Sequence, residues 1–369
     1  MFDYGNLGVS QLEGVLAEVH RSYGTGFPSF DAQYAGINLG SGPGARKRGG
    51  IPLVIPRPED SECEVALLSV GVRSRGATIP FRWRLAVDGS TISREFKPQF
   101  KVEADESMYY RAVYDAKPLL YSKLIATVDH RLQVIYDGFQ PIILSDASLL
   151  AVFRHEKSRY SVSYHTGAQS LAPGDVIKVD ANIGNSFGGD RIALVSMYIP
   201  SPHAILEVIA GGSEPLKVEG PGYKSVRVRI PYKGYMVPVA IRYKESNIKF
   251  YPKTAIITDI VVVETLYPEP RLRLYVDNVD VTDDKVTISG YIENTGNDWA
   301  RRALLVVLGM GVQLAKMSID DIEPGGKREF TSTVSISRLP VRPPKLSTRI
   351  IWSSMGETMF DEVIIKLYS

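Results

Sequence analysis

The segment GNSFG, from Gly184 to Gly188, has the G-x-S-x-G form that presents a serine nucleophile at a sharp strand-to-helix turn. That chemistry needs a helix after the serine and a histidine within hydrogen-bond reach. The residues that follow, Arg191 to Ile199, alternate as a strand. Ser186 is therefore expected in an ordinary turn, bonded to neither His165 nor His203. ALLVVL followed by Gly309 and Gly311 imitates the opening of a dinucleotide fingerprint, but the third glycine and the βαβ context are missing. The acidic run Val276 to Asp284, with carboxylates from Asp277 to Asp284, could offer oxygens to calcium. It lacks the EF-hand glycine and spacing, and a solvated hairpin is the plainer reading. His20, His130, His155, His165 and His203 form no H-x-x-x-H pair, so no zinc site is expected.

Other candidates concern binding. Arg46, Lys47 and Arg48 could grip a phosphate or an acidic partner, though three charges are too few for a nucleic-acid site. Pro340 to Pro344 has the spacing of a PxxP ligand, and reads more simply as a loop whose prolines guard a strand edge. Trp83, Tyr109, Tyr110, Tyr232 and Tyr235 could turn aromatic faces to sugars, but strand aromatics at alternate positions are usually core. No catalytic, cofactor-binding or metal-ligating residue is assigned, and a small-molecule ligand is not expected.

The elements that would hold these residues are almost all strands. From Pro52 onward, alternating segments are bounded by Gly, Pro, Asp and Asn. The pattern recurs about every hundred and ten residues, the size of one Ig-like domain. VDANIGNS (Val179 to Ser186) matches ISGYIENT (Ile288 to Thr295), which aligns Ile183 with Ile292 and predicts both buried. Val-Glu or Ile-Glu recurs at Val102, Val218 and Ile322. One strand per unit supplies a third anchor: FRWRLAVDG from Phe81, RIALVSMYI from Arg191 and ALLVVLGMG from Ala303.

Residues 1 to 56 stand outside this pattern. Ser10 and Glu13 have capping-box spacing, and Leu12, Val15, Leu16 and Val19 follow at i, i+3, i+4 and i+7. The spacing predicts a helix to about Tyr23, then a Gly-rich arm from Gly24 to Gly50. An isolated helix with such a stripe needs a surface to cover, so Leu12, Val15, Leu16 and Val19, with Arg46, Lys47 and Arg48, are the expected interaction residues.

Bulk properties set limits. Across 369 residues, 43 Lys and Arg against 41 Asp and Glu leave a net charge of +2, so no global field draws nucleic acid. Cys63 is the only cysteine, so no intramolecular disulfide can staple the sheets. The most apolar run, AIITDIVVVETL, is broken by Asp259 and Glu264 and is too short to span a membrane as a helix. No signal-peptide pattern opens this numbering, and none of the 8 Asn begins a glycosylation sequon. A cytoplasmic location, or delivery within an assembly, is therefore expected over secretion. Few amides, one Cys and 20 Tyr lean towards a thermophilic source.

The third unit also carries a resemblance. Asn294-Thr295-Gly296, Ala300 and Pro324-Gly325 are similar to the pattern of CARDB-type Ig-like domains of archaeal and bacterial surface proteins. Pro173-Gly174-Asp175 and Asn185 resemble it less closely. The resemblance implies a fold, and a role in adhesion, spacing or assembly rather than catalysis. The expected architecture is all-β: three tandem Ig-like β-sandwiches at 57–157, 158–266 and 267–369, after an N-terminal helix and arm at 1–56. The expected function is that of a non-enzymatic building block or adaptor, self-associating or docking a protein partner through the N-terminal segment. The alternatives are a surface adhesion or carbohydrate-binding module, and an enzyme using an inter-domain site.

Overall fold

The computed structural model describes residues 12–367 apart from 43, 59–60, 77–78, 106, 121–128, 185, 245–253, 283, 338–343 and 355–356. Ser10, Gln11 and most of the PxxP segment lie outside the described residues. The chain divides into two compact units, Met1–Tyr267 and Pro268–Ser369. Among the described residues the chain is nearly all β, with a single four-residue helix.

The first unit opens with β1 (Leu12–Glu13) and β2 (Val15–Thr25). A first group follows: β3 (Phe27–Leu39), β4 (Arg48–Val54), β5 (Glu62–Ser74), β6 (Phe81–Val87) and β7 (Ser90–Phe96). It continues with β8 (Phe100–Ala104), β9 (Ser107–Asp115), α1 (Lys117–Leu120), β10 (Asp129–Ile135) and β11 (Ile142–Arg154). A second group comprises β12 (Arg159–Leu171), β13 (Val176–Asn182), β14 (Asp190–Ile199) and β15 (Ile205–Ala210). It closes with β16 (Leu216–Glu219), β17 (Gly222–Arg229), β18 (Met236–Lys244) and β19 (Ala255–Leu266).

Each group folds into two sheets around its own apolar core. In the first, the sheets run β1-β8-β9-β5-β11-β3 and β4-β10-β6-β7; in the second, β17-β14-β19-β12-β2 and β13-β18-β15-β16. Setting aside β1, β2 and β8, and counting the other strands of each group in order, both read 1-8-3-6 and 2-7-4-5. That is the order of an eight-stranded jelly roll, two Greek keys wrapped on one another. The first two sandwiches thus differ from the Ig-like plan read from the spacing. Two anchors also fell on unlike strands: FRWRLAVDG is the fourth strand of its roll and RIALVSMYI the third of the next. Period-two alternation marks a strand but not its place in the order.

The larger sheets of the two rolls face each other. Leu150, Val152, Tyr160, Val162, Tyr164 and Val261 form one apolar cluster between them, and Phe100, Val102, Tyr109, Ala168 and Ile256 another. Strand β12 touches β8 and β9 towards one side of the first sheet and β3 at the other, so the strands of the facing sheets cross.

The N-terminal helix is corrected by this arrangement. Val15–Thr25 is a strand paired antiparallel with β12 from Val15↔Ala168 to Thr25↔Arg159, and Leu12–Glu13 pairs in parallel with Phe100–Lys101. The i, i+3, i+4, i+7 stripe also fits a strand once both faces are covered. Leu16 packs on the core of the second roll, while Ala17 and Val19 turn into the seam. The free edge of β12 offers a row of backbone partners, and tertiary pairing overrides a weak helical preference. Leu12 and Val15 stay exposed. The Gly-rich arm is corrected too: Phe27–Leu39 is a thirteen-residue strand paired with β11, and Arg48–Val54 pairs with β10. Gly26 makes the crossover from the second roll to the first. A Cβ there would lie 2.8 Å from the Phe153 carbonyl oxygen and 2.9 Å from Tyr160, so only glycine passes.

The second unit contains β20 (Leu272–Val281), β21 (Lys285–Asn294), β22 (Ala303–Gly309), β23 (Val312–Ile319), β24 (Lys327–Ser335), β25 (Lys345–Ser354) and β26 (Glu357–Lys366). Its sheets are β20-β21-β24 and β23-β22-β25-β26 around a separate core. Asn294 is fully buried and uses all four of its hydrogen-bonding positions. Its Oδ1 accepts from the backbone N–H of Arg271 (3.1 Å) and Gly296 (3.0 Å), and its Nδ2 donates to the carbonyls of Asp298 (2.7 Å) and Ile322 (3.0 Å). The Asn-Thr-Gly motif is thus a device that ties three loops. Ile183 and Ile292 are both fully buried, Ile183 just past its strand and Ile292 within one.

Candidate functional site

At the centre of the seam between the two rolls lies a charge cluster with no exposure. Arg111, from β9, donates through Nη1 to Asp146 Oδ1 (2.5 Å) and through Nη2 to both oxygens of Asp259 (2.7 Å each). Its Nε donates to Thr166 Oγ1 at 2.8 Å, and Nη2 also reaches Ser148 Oγ at 2.7 Å. Tyr109 donates to Asp146 (2.9 Å) and Tyr164 to Asp259 (2.8 Å). Arg111, Asp146 and Asp259 all have side chains at 0 % exposure. Asp146 belongs to the first roll and Asp259 to the second, each in the eighth strand and each beside a β-bulge. The bulges re-aim two carboxylates from opposite sheets at one guanidinium.

Two carboxylates against one cation leave the cluster short of positive charge. Burial pushes the Asp146 carboxyl above its ordinary value, with Asp259 adding to the rise and Arg111 opposing it. Burial likewise raises Tyr109 and Tyr223 well above the usual phenol range. With every donor engaged and no exposure, the cluster fixes how one sheet sits on the other and has no access for a substrate. Its sequence signal is Ile143-Leu-Ser-Asp146 against Ile256-Ile-Thr-Asp259, a polar pair repeated at one place in two apolar strands.

The open site lies beyond the bulge of β11, where a cavity of about 430 Å³ indents the first roll. Three remote segments build it. The loop after β3 contributes Ser41 and Ala45, the end of β5 contributes Arg73, Ser74 and Arg75, and the start of β11 contributes Ile142 and Ile143. Arg73 pairs in register with Tyr109 and with Ile143, and its guanidinium stacks 4.6 Å from the Tyr198 ring of the second roll. Its Nε is buried without a hydrogen-bond partner. Gly40 shapes the loop: its φ is +103°, and a Cβ there would lie 2.5 Å from the Gln140 carbonyl oxygen. Ser41 Oγ donates to the Phe139 carbonyl, and the Phe139 ring stands 87 % exposed beside Pro141, a lining residue.

Arg46, Lys47 and Arg48 are exposed and close this same loop. The Arg46 N–H donates to the Asn38 carbonyl (2.9 Å), its carbonyl accepts from Gly40 (3.2 Å), and Arg48 begins β4. Leu12, Val15, Leu16 and Val19 lie on β1 and β2 and line no part of the cavity. Of the aromatic candidates, Trp83 and Tyr109 are buried, while Tyr232 and Tyr235 are exposed on the second roll. The GNSFG segment joins two strands. Its backbone N–H groups at Phe187, Gly188 and Gly189 donate to buried Glu264 Oε1 at 3.2, 2.9 and 3.0 Å, and Ser186 Oγ accepts from Arg191. His165 Nε2 lies 3.1 Å from Ser163 Oγ instead. Asp277 and Asp280 are exposed on β20, and no group of three metal-binding side chains occurs among the described residues.

No family model matches the chain, and no curated protein matches it. Among solved structures, a Parabacteroides merdae β-glucuronidase aligns over 56 % of this chain and 27 % of its own, with 12 % identity and a TM-score of 0.24. Bacteroides uniformis β-glucuronidase 3 aligns over 56 % and 27 %, with 15 % identity and a TM-score of 0.22. The Ruminococcus gnavus β-glucuronidase aligns over 57 % and 35 %, with 13 % identity and a TM-score of 0.22. This chain spans about a third or less of those chains, and superposition at that level carries no activity across. The adaptor reading is corrected by the fold: it rested on a helix and a tether, and those residues are instead strands β2 and β3, each paired along one edge within this chain's own sheets.

Proposed function

We propose that the first unit binds a small anionic molecule in the cavity beside Arg73. This revises the expectation that a small molecule is not a ligand. The observation that carries it is the placement of Arg73 on the wall of a roughly 430 Å³ cavity otherwise lined by small, polar and apolar residues, with Arg75 beside it in the lining. The cavity is of the size that holds small ligands, and a guanidinium on one wall with apolar groups on another selects for an acid. No nucleophile, general base or metal is assigned to the site, and binding without catalysis is the reading. The Asn294 ties and the seven-strand order of residues 268–369 support reading that unit as an Ig-like domain similar to the CARDB type.

The test is calorimetric titration of the full chain with citrate and inorganic phosphate, beside the Arg73→Met variant. Saturable binding of at least one of them by the native chain, weakened tenfold or more in the variant, is expected. An unchanged affinity in Arg73→Met, or no heat with either anion, refutes the reading.

A further inference from the structure

We propose that the ligand of this cavity is a sugar acid, a ring bearing one carboxylate and several hydroxyls; this rests on the anion-binding reading above. The walls still have hydrogen-bonding positions to offer. Ser41 Oγ already donates its proton to the Phe139 carbonyl, and Ser107 Oγ donates to the Ala104 carbonyl at 3.3 Å. A hydroxyl has one proton and two lone pairs, so the oxygens of these two lining serines remain as acceptors. An aliphatic or aromatic acid, ionised at neutral pH, has no O–H group to donate to them. A phosphate at neutral pH retains at most a proton or so, too few to serve two walls while it faces Arg73. A polyhydroxylated ring brings several donors at once, and the Asn38 amide on the same wall can both donate and accept.

The remaining surfaces fit the same class. A ring's carboxylate suits the fork of a guanidinium, which binds planar oxyanions through paired N–H groups. The C–H face of a sugar ring is apolar, and Pro141 and Ile142 line the cavity with apolar surface. Cation, hydroxyl acceptors and apolar walls therefore converge on one molecule of modest size.

The experiment is calorimetric titration of the full chain with sodium galacturonate, galactose and hexanoate. Galacturonate carries both features, galactose lacks the carboxylate and hexanoate lacks the hydroxyls. Galacturonate is expected to bind at least tenfold tighter than either. Ser41→Ala is expected to weaken galacturonate severalfold and to leave hexanoate unchanged. Hexanoate binding as tightly as galacturonate overturns the sugar-acid proposal while sparing the anion site. Galactose binding as tightly as galacturonate, or no binding by any of the three, overturns the sugar-acid proposal and leaves the anion site to be decided by citrate and phosphate.

Discussion

Replacing Arg111 with methionine removes the cation that Asp146 and Asp259 share in the seam between the jelly rolls. The side chain has no exposure and donates to Asp146, Asp259, Thr166, Ser148 and Tyr109. Two buried carboxylates would be left facing hydroxyls and each other, with no water to take over. Breaking a buried ion pair by removing one partner costs about 3–5 kcal/mol, because the stranded charge keeps its desolvation penalty. For a unit of this size each kcal/mol lowers the melting temperature by about 2–4 °C, so the expected drop is roughly 6–20 °C. Scanning calorimetry reads it directly, and the second unit, with its own core, should keep its own transition. The logic has a built-in control. Replacing Arg111 by methionine together with Asp146 and Asp259 by leucine removes the stranded charges, and much of the lost stability should return. A single-variant loss under about 1 kcal/mol, or a triple variant weaker than the single, refutes the claim that uncompensated charge is what Arg111 prevents.

Three further outcomes follow from the same geometry. Burial holds the folded Asp146 carboxyl above its unfolded value, so the native state binds the extra proton. Its contribution is therefore full at the acid end and is lost as pH rises from the unfolded pKa through the raised folded one. In Asp146→Asn that decline should be missing from a plot of unfolding free energy against pH, and a slope equal to the native chain's contradicts the assignment. Gly26→Ala should destabilise by at least about 1 kcal/mol, because its Cβ meets backbone rather than a movable side-chain tip; an unchanged denaturation midpoint would show that the crossover has room. Burial pushes the Cys63 thiol up to about 12, so a thiol-labelling reagent at pH 8 should leave the native chain unmodified and label it fully in denaturant.

How far the sequence reveals this molecule depends on the kind of signal. Strands β6, β14 and β22 are plain in the alternation of FRWRLAV, RIALVSMYI and ALLVVLG, but alternation is local, and the order in which strands pair is not. That is why fourth and third strands of two jelly rolls resemble one another. The segment from Leu12 to Val19 satisfies a helical stripe and a strand equally well, and only the open edge of β12 decides between them. Asp259 and Glu264 are visible as charges breaking an apolar run. Their meaning comes from Arg111 and from the Phe187–Gly189 backbone, 148 and some 75 residues away. The cavity is the least legible feature, since Ser41, Arg73 and Ile142 share no spacing and meet only through the pairing of β3, β5 and β11. The Gly-rich stretch that looks like a tether is instead its wall.

The central claim is that Arg73 anchors an acid in the cavity of the first jelly roll. A crystal structure of the chain grown with galacturonate at low millimolar concentration tests it most directly. The account predicts ligand density between Ser41, Arg73 and Ile142, with a carboxylate oxygen about 2.7–2.9 Å from the Arg73 guanidinium. An empty cavity with the ligand bound elsewhere, or a ligand in the cavity whose carboxylate faces away from Arg73, contradicts it.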